Sequence, residues 1–185
     1  MNDRTLSRPE KWILTGIPVL FAIGSGIHSL YRLLHENFLV GLFAPVNESI
    51  WEHSKMVILP VILWWLLYEK IHGRQYDIER KRWYAGALTA LLVSLAAMPA
   101  IYYFYTSAFG AELLWVDILI LLAALSLGQL LGFHIYRRSG GLPPGLVIAA
   151  FAAILFLFAL FTVAPPHLPL FQDSMTGGYG IPGAG

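Results

Sequence analysis

Five stretches of the chain are too apolar to be solvated by water, and the short segments between them carry nearly all of its charge. No formal charge interrupts Trp12 to Tyr31, and roughly 20 apolar residues suffice to cross a hydrocarbon core as a helix. Further stretches lie within Trp83–Tyr105 and Leu113–Tyr136, and a fifth, Gly145–Ala164, is framed by Pro143-Pro144 and Pro165-Pro166. The second stretch differs. Between Lys55 and Glu69 only 13 residues are uncharged, which is about 20 Å of helix at 1.5 Å per residue, short of a core of about 30 Å. Extending it back to Glu48 restores the length and draws Glu52, His53 and Lys55 to the membrane edge, while Pro60 removes one backbone donor and is a site for a kink. The pattern predicts helices over about 12–34, 48–69, 83–105, 113–136 and 145–164, then a tail over 165–185, in a single transmembrane domain. The fold class is therefore all-α, an integral membrane bundle of five transmembrane helices.

The polar segments orient the bundle. With the N-terminus in the cytoplasm, Arg4, Arg8, Lys11, Lys70, Arg74, Arg80, Lys81, Arg82, Arg137 and Arg138 are cytoplasmic, ten of the twelve Lys and Arg residues. Only Arg32 and Lys55 fall on the other side, so the excess of basic residues predicts N-in/C-out. No small-residue cleavage site follows the first stretch, which reads as an uncleaved helix. Phe38–Val46 is apolar yet too short to span, and a re-entrant or interfacial segment after the first helix is expected there. Trp12, Tyr31, Trp51, Trp83, Trp115 and Tyr136 stand near helix ends, as interfacial aromatic belts do.

Composition narrows the chemistry. Hydrophobic residues make up 57% of the chain and charged ones 12%, against about 25% charged in soluble domains, so lipid is the solvent. The absence of cysteine excludes disulfides, thiolate metal ligands and a cysteine nucleophile. No basic domain, repeat or low-complexity tract points to nucleic acid. Membrane lipids are the expected partners, and a homo-oligomer is left open.

The topology collects most reactive side chains on the outward face. His28 and Arg32 end the first helix; Asn47, Glu48, Glu52, His53 and Lys55 begin the second; Glu112 and Asp117 begin the fourth; His167 and Asp173 lie in the tail. Ser25, His28, Arg32 and His35 are spaced to share one face of a continuous helix, as are Glu48, Glu52 and Lys55. Asp117 is in phase with Ala124, Gly128 and Gly132, a small-residue stripe suited to close packing, and Gly86, Ala90, Ser94 and Ala97 form a similar stripe on the third helix. Ionisable groups at membrane depth mark function by default. Each also admits a structural role: Asn47 or Ser49 as an N-cap with Glu52 at capping-box spacing, Glu52–Lys55 as a buried ion pair, His28 as an interhelical hydrogen bonder, Asp117 as a helix-dipole partner, and Arg32–Glu36 as an interfacial pair.

The run Phe43-Ala44-Pro45-Val46-Asn47-Glu48-Ser49-Ile50-Trp51-Glu52-His53 resembles the signature of a family of small bacterial membrane proteins classed as a domain of unknown function. Pro165-Pro166-His167-Leu168-Pro169-Leu170-Phe171, with Asp173, Gly178, Tyr179 and Gly180, is similar to that family's second signature. The resemblance implies a multi-pass protein of the bacterial inner (plasma) membrane and gives both polar segments weight, without naming a reaction. A looser likeness is to membrane hydrolases of the alkaline-ceramidase and progestin-receptor type, in which His and Asp from several helices hold zinc. Those have seven spans and a His-x-x-x-His pair; this chain has five predicted spans and no such pair.

These features lead to an expected membrane-embedded, metal-dependent hydrolase or lipid-processing enzyme. His28, His53 and His167 are the expected ligands of a zinc ion, with Glu48 or Asp117 as substitutes, since catalytic zinc keeps three protein ligands and an open position. Glu52 is the expected general base, with Glu48 and Asp117 the other catalytic carboxylates, and Arg32, Lys55 and Asn47 the substrate-binding residues. The alternatives are an ion- or proton-coupled transporter or channel component using Glu48, Glu52, Asp117 and His53, and a structural subunit that binds a lipid or a protein partner.

Overall fold

A computed structural model describes residues 5–76 and 78–182, so Arg4, one of the counted basic residues, lies outside the described residues. The described chain is all-helical, with five helices long and apolar enough to cross a membrane: Arg8–His28 (α1), Ile50–His72, Arg80–Phe109 (α6), Leu114–Arg138 (α7) and Pro144–Val163 (α8). Between α1 and the second span lie two single-turn helices, Leu30–Leu33 (α2) and Phe38–Gly41 (α3). The second span is itself divided at Ser54 into Ile50–His53 (α4) and Lys55–His72 (α5). A 3-10 turn, Pro169–Phe171, sits in the tail. The chain is a multi-pass membrane protein.

The helix boundaries differ from the hydropathy reading for local reasons. Helix α1 begins at Arg8, not near 12, because Pro9 suits a first turn and the Glu10 carboxylate accepts the Ser7 amide at 2.7 Å. It ends at His28, and left-handed backbone at His35 (φ 55°) and Glu36 (φ 56°) then reverses the chain. The face expected to run from Ser25 to His35 is therefore broken at Ser29. Asn37 starts α3 by accepting the amides of Leu39 and Val40 at 2.9 and 3.4 Å. Helix α6 runs past both expected limits and stops at Gly110, whose φ of 64° forms a left-handed C-cap.

Packing follows the small-residue stripes. Helices α6 and α7 make the most extensive pair, and α1 packs on α7 and α5. Gly86 and Gly132 abut so closely that a Cβ on either would stand 2.7–2.8 Å from the other's carbonyl oxygen. A Cβ at Gly128 would fall onto Ser94 Oγ and the Ala90 carbonyl, and Ser94 donates to the Ala124 carbonyl at 3.1 Å. In α5, Pro60 cannot donate to the Met56 carbonyl four residues earlier, and Gly24 of α1 packs against that carbonyl.

Several of the aromatic residues near helix ends are also packed between helices. Trp83 is buried against Trp65 and donates to its carbonyl at 2.9 Å, and Tyr31 is buried beside Gly41. Trp51 stacks on Phe158 with centroids 3.9 Å apart. Trp12 and Trp64 stack at 4.1 Å and each donates its Nε1–H to the other's carbonyl at 3.2 Å. Only Trp115 of the six named aromatics stands exposed. Trp12 and Trp83, whose indole N–H groups are satisfied by carbonyls of α5, are interhelical packing groups.

The α6–α7 contact yields a direct test. Gly128→Leu should destabilise the detergent-solubilised protein by about 1–3 kcal/mol or prevent folding, because overpacking forces the helices apart. Gly26→Ala, where an added methyl meets nothing within 4 Å, should leave the thermal unfolding midpoint unchanged or raised.

Candidate metal centre

The polar groups at one end of the bundle separate into two sites, one around Glu52 and one around Glu48. Ser49 caps α4 by accepting the Glu52 amide at 3.3 Å, and Asn47 Oδ1 accepts the Ser49 amide at 2.9 Å. The other half of a capping box does not form. Glu52 instead turns inward: its Oε2 accepts Val46 N–H at 3.0 Å and pairs with Lys55 Nζ at 2.6 Å, and its Oε1 accepts the Thr162 hydroxyl at 2.9 Å. Lys55 Nζ also donates to the carbonyls of Gly41 (2.6 Å) and Ala44 (3.4 Å). Glu52 and Lys55 are each only 2% exposed, so both are joined to structural partners in the interior.

Glu48 precedes α4, is not helical, and points elsewhere. Its Oε2 lies 3.4 Å from His28 Nε2 and 3.2 Å from His53 Nε2, and the two imidazole nitrogens are 3.1 Å apart. Three potential ligand atoms from three separate segments thus form a nearly equilateral triangle. His53 Nδ1 lies 3.1 Å from the Ser49 carbonyl, which can only accept, so Nδ1 carries a hydrogen; Nε2 faces the triangle, where it donates to Glu48 when it also carries a hydrogen and would offer its lone pair to a metal when it does not. Hydrogen bonds from His28 first and His53 second hold the Glu48 carboxyl well below the usual carboxylate range, against the opposing effect of its partial burial. Arg32 reaches Glu48 Oε1 at 3.8 Å and is 68% exposed.

Of the residues named from sequence, His28, His53 and Glu48 are brought together, with Arg32 beside them. The others are placed apart. His167 stacks on Tyr179 with centroids 4.6 Å apart. Asp117 accepts the Tyr105 hydroxyl at 2.7 Å. Asn47 Nδ2 donates to the Gly180 carbonyl at 2.9 Å, fastening the tail. Thr162, which completes the Glu52 site, is not among the residues named from sequence; its signal there is that it is the single polar side chain in the apolar stretch Gly145–Ala164.

The tail folds across this end of the bundle. Phe171 is buried against Trp51 and Phe161, and Ser174 donates to the Glu48 carbonyl at 3.4 Å. The tail and the ends of α6 and α7 enclose an open cleft of about 300 Å³, lined by Glu48, Tyr102, Glu112, Gln172 and Asp173 among others. The Tyr102 hydroxyl donates to Glu112. Asp173 is occupied within its own turn, accepting Met175 N–H at 3.0 Å and the Thr176 hydroxyl at 2.6 Å.

Residues 1–181 match the model of a family of unknown function, DUF6512, and the chain belongs to that family. No curated protein and no solved structure matches it.

Glu48 makes the site pH-dependent in a defined direction. Because its folded pKa is depressed, its contribution to stability is complete above about pH 4.3, the ordinary glutamate value, and is lost as the pH falls towards the lower folded value. The Glu48 side chain is 36% exposed, so solvent screening limits the effect to about 1 kcal/mol. Glu48→Gln should lower the thermal unfolding midpoint at pH 5–7, and the gap from wild type should narrow below about pH 4.

Proposed function

We propose that this protein is a membrane-embedded hydrolase acting on lipid-type amphiphiles, with one divalent metal, zinc, held by His28, His53 and Glu48. The observation that carries this reading is the triangle of ligand atoms with edges of 3.1, 3.2 and 3.4 Å. A tetrahedral zinc with bonds of about 2.0–2.1 Å keeps its ligand atoms roughly 3.3–3.4 Å apart, and two imidazoles with one carboxylate leave a fourth position open. When bound, the metal would supply a Lewis acid and lower the pKa of a coordinated water to about 7.

The surrounding residues have assignable parts. The Ser49 carbonyl orients the His53 ring. Arg32, largely exposed beside Glu48, would engage an anionic group of the substrate. Glu52 and Asp173 have both carboxylate oxygens engaged, which leaves exposed Glu112, held by Tyr102, as the cleft carboxylate able to accept a proton from water. On this reading the N-terminus and the basic ends of α1, α6 and α7 face the cytoplasm of a bacterial inner membrane, and the metal faces outward, following the distribution of Lys and Arg.

Elemental analysis of detergent-purified protein should find one zinc per chain. His28→Ala and His53→Ala should each reduce it at least tenfold, while His167→Ala should retain it. Zinc-loaded protein should release head groups or fatty acids from phospholipid vesicles, and a chelator should abolish that release. Background metal in folded wild type would leave the triangle holding only a proton. Iron in place of zinc would move the chemistry from hydrolysis to oxygen activation, for which two histidines and a carboxylate are also suited.

A further inference from the structure

We infer that Glu52 and Lys55 are positioning residues, whose buried ion pair sets the place of Glu48 opposite the two imidazoles. This rests on the metal-site reading for its purpose, though its geometry is independent of any metal. Glu48 lies in the short run between Val46 and the start of α4, which has no regular hydrogen bonding of its own. That run is fixed at both ends by Glu52. Upstream, Glu52 Oε2 accepts Val46 N–H at 3.0 Å; downstream, the Glu52 amide is bound to Ser49 Oγ at 3.3 Å. Only Asn47 and Glu48 lie between the two anchors.

Lys55 extends the anchoring. Its ammonium meets Glu52 Oε2 at 2.6 Å and the carbonyls of Gly41 and Ala44 at 2.6 and 3.4 Å, gathering the end of α3 and the following turn beneath the same carboxylate. Thr162 binds the other Glu52 oxygen at 2.9 Å and so includes the end of α8. His53 is the neighbour of Glu52 on α4, and its ring is tied to the Ser49 carbonyl at 3.1 Å. A shift of the Glu52 carboxylate therefore moves Val46, and with it Glu48 two residues on, relative to Ser49 and His53, which are held by the backbone of α4. His28, on α1, makes no hydrogen bond to this network except through the triangle itself. The pair thus sets how Glu48 approaches the two imidazoles.

The test uses the full chain with the neutral, shape-matched double variant E52Q/K55M, which avoids leaving one buried charge unpaired. Thermal unfolding in detergent first establishes that the variant is folded; T162V, which removes one bond to Glu52 and retains the charges, serves as a second variant should the first not fold. Cobalt(II) alone is the metal probe, because its visible spectrum reports coordination geometry. Wild type should show strong four-coordinate bands, and the folded variant should bind at least tenfold more weakly with those bands lost, a change that a merely stabilising ion pair would not cause. A metal-free measurement runs beside it: in the naturally cysteine-free chain, H28C/E48C should be joined rapidly by a short bifunctional thiol reagent, and at least fivefold more slowly in the variant background. Slower joining with no cobalt bound by wild type would sustain the positioning role and remove the metal-site reading. An unchanged joining rate in a folded variant, whatever its cobalt spectrum, would overturn the positioning role.

Discussion

The arrangement of the site end depends on one buried ion pair. Placing a carboxylate and an ammonium where both are almost inaccessible is favourable only when the remaining donors and acceptors are also met. Here they are. Lys55 has Gly41 and Ala44 in addition to Glu52, and Glu52 has Val46 and Thr162 in addition to Lys55. These partners come from the α3 turn, the run leading into α4, and the end of α8, three segments that hydrophobic burial alone would not fix in register. In lipid, where apolar surface gains little from leaving one apolar neighbour for another, directional polar contacts and close packing have to specify the assembly.

The rest of the bundle meets that requirement by the second means. Gly86, Gly128 and Gly132, with Ala90 and Ser94, bring α6 and α7 nearly into backbone contact. Gly24 lies on the Met56 carbonyl freed by Pro60. Small-residue contacts hold the middle of the bundle, reciprocal tryptophan bonds hold one end, and the ion pair holds the other. Glu48, His28 and His53 stand outside the contacts that assemble the helices, and their mutual contacts add only locally to stability.

Much of this was legible in the sequence, for a simple reason: hydropathy over twenty residues is a strong signal, and it located all five spans. The small-residue stripes were equally readable, because α-helical phase holds through α6 and α7. Phase was misleading where the helix was absent. Glu48, Glu52 and Lys55 have the spacing of one helical face, yet Glu48 precedes the N-cap, so it turns to the histidines while Glu52 turns to Lys55. The same limit applies to His35, beyond the break at Ser29. His167 lies near the right end of the chain, but the tail's own packing, with Phe171 in the aromatic group around Trp51, holds it on Tyr179. Side chains in capping loops and tails are placed by individual hydrogen bonds, and these leave no periodic trace.

The position of the triangle along the bundle limits what the proposed chemistry can act on. His28 is the last residue of α1, His53 lies in the first turn of its span, and Glu48 lies just before it. The three groups therefore stand where apolar helix gives way to polar loop, not midway across the bundle. Around them the α2–α3 segment exposes Leu33, Phe38, Leu39 and Phe43, and the tail exposes Leu168 and Met175. A freely soluble substrate would have no use for that apolar surround, and a wholly apolar one would find nothing to bind at Arg32 or in the carboxylate-lined cleft. An amphiphile held in the leaflet by its chains, with its reacting bond at the head-group boundary, satisfies both conditions, and it needs only lateral diffusion to reach the site.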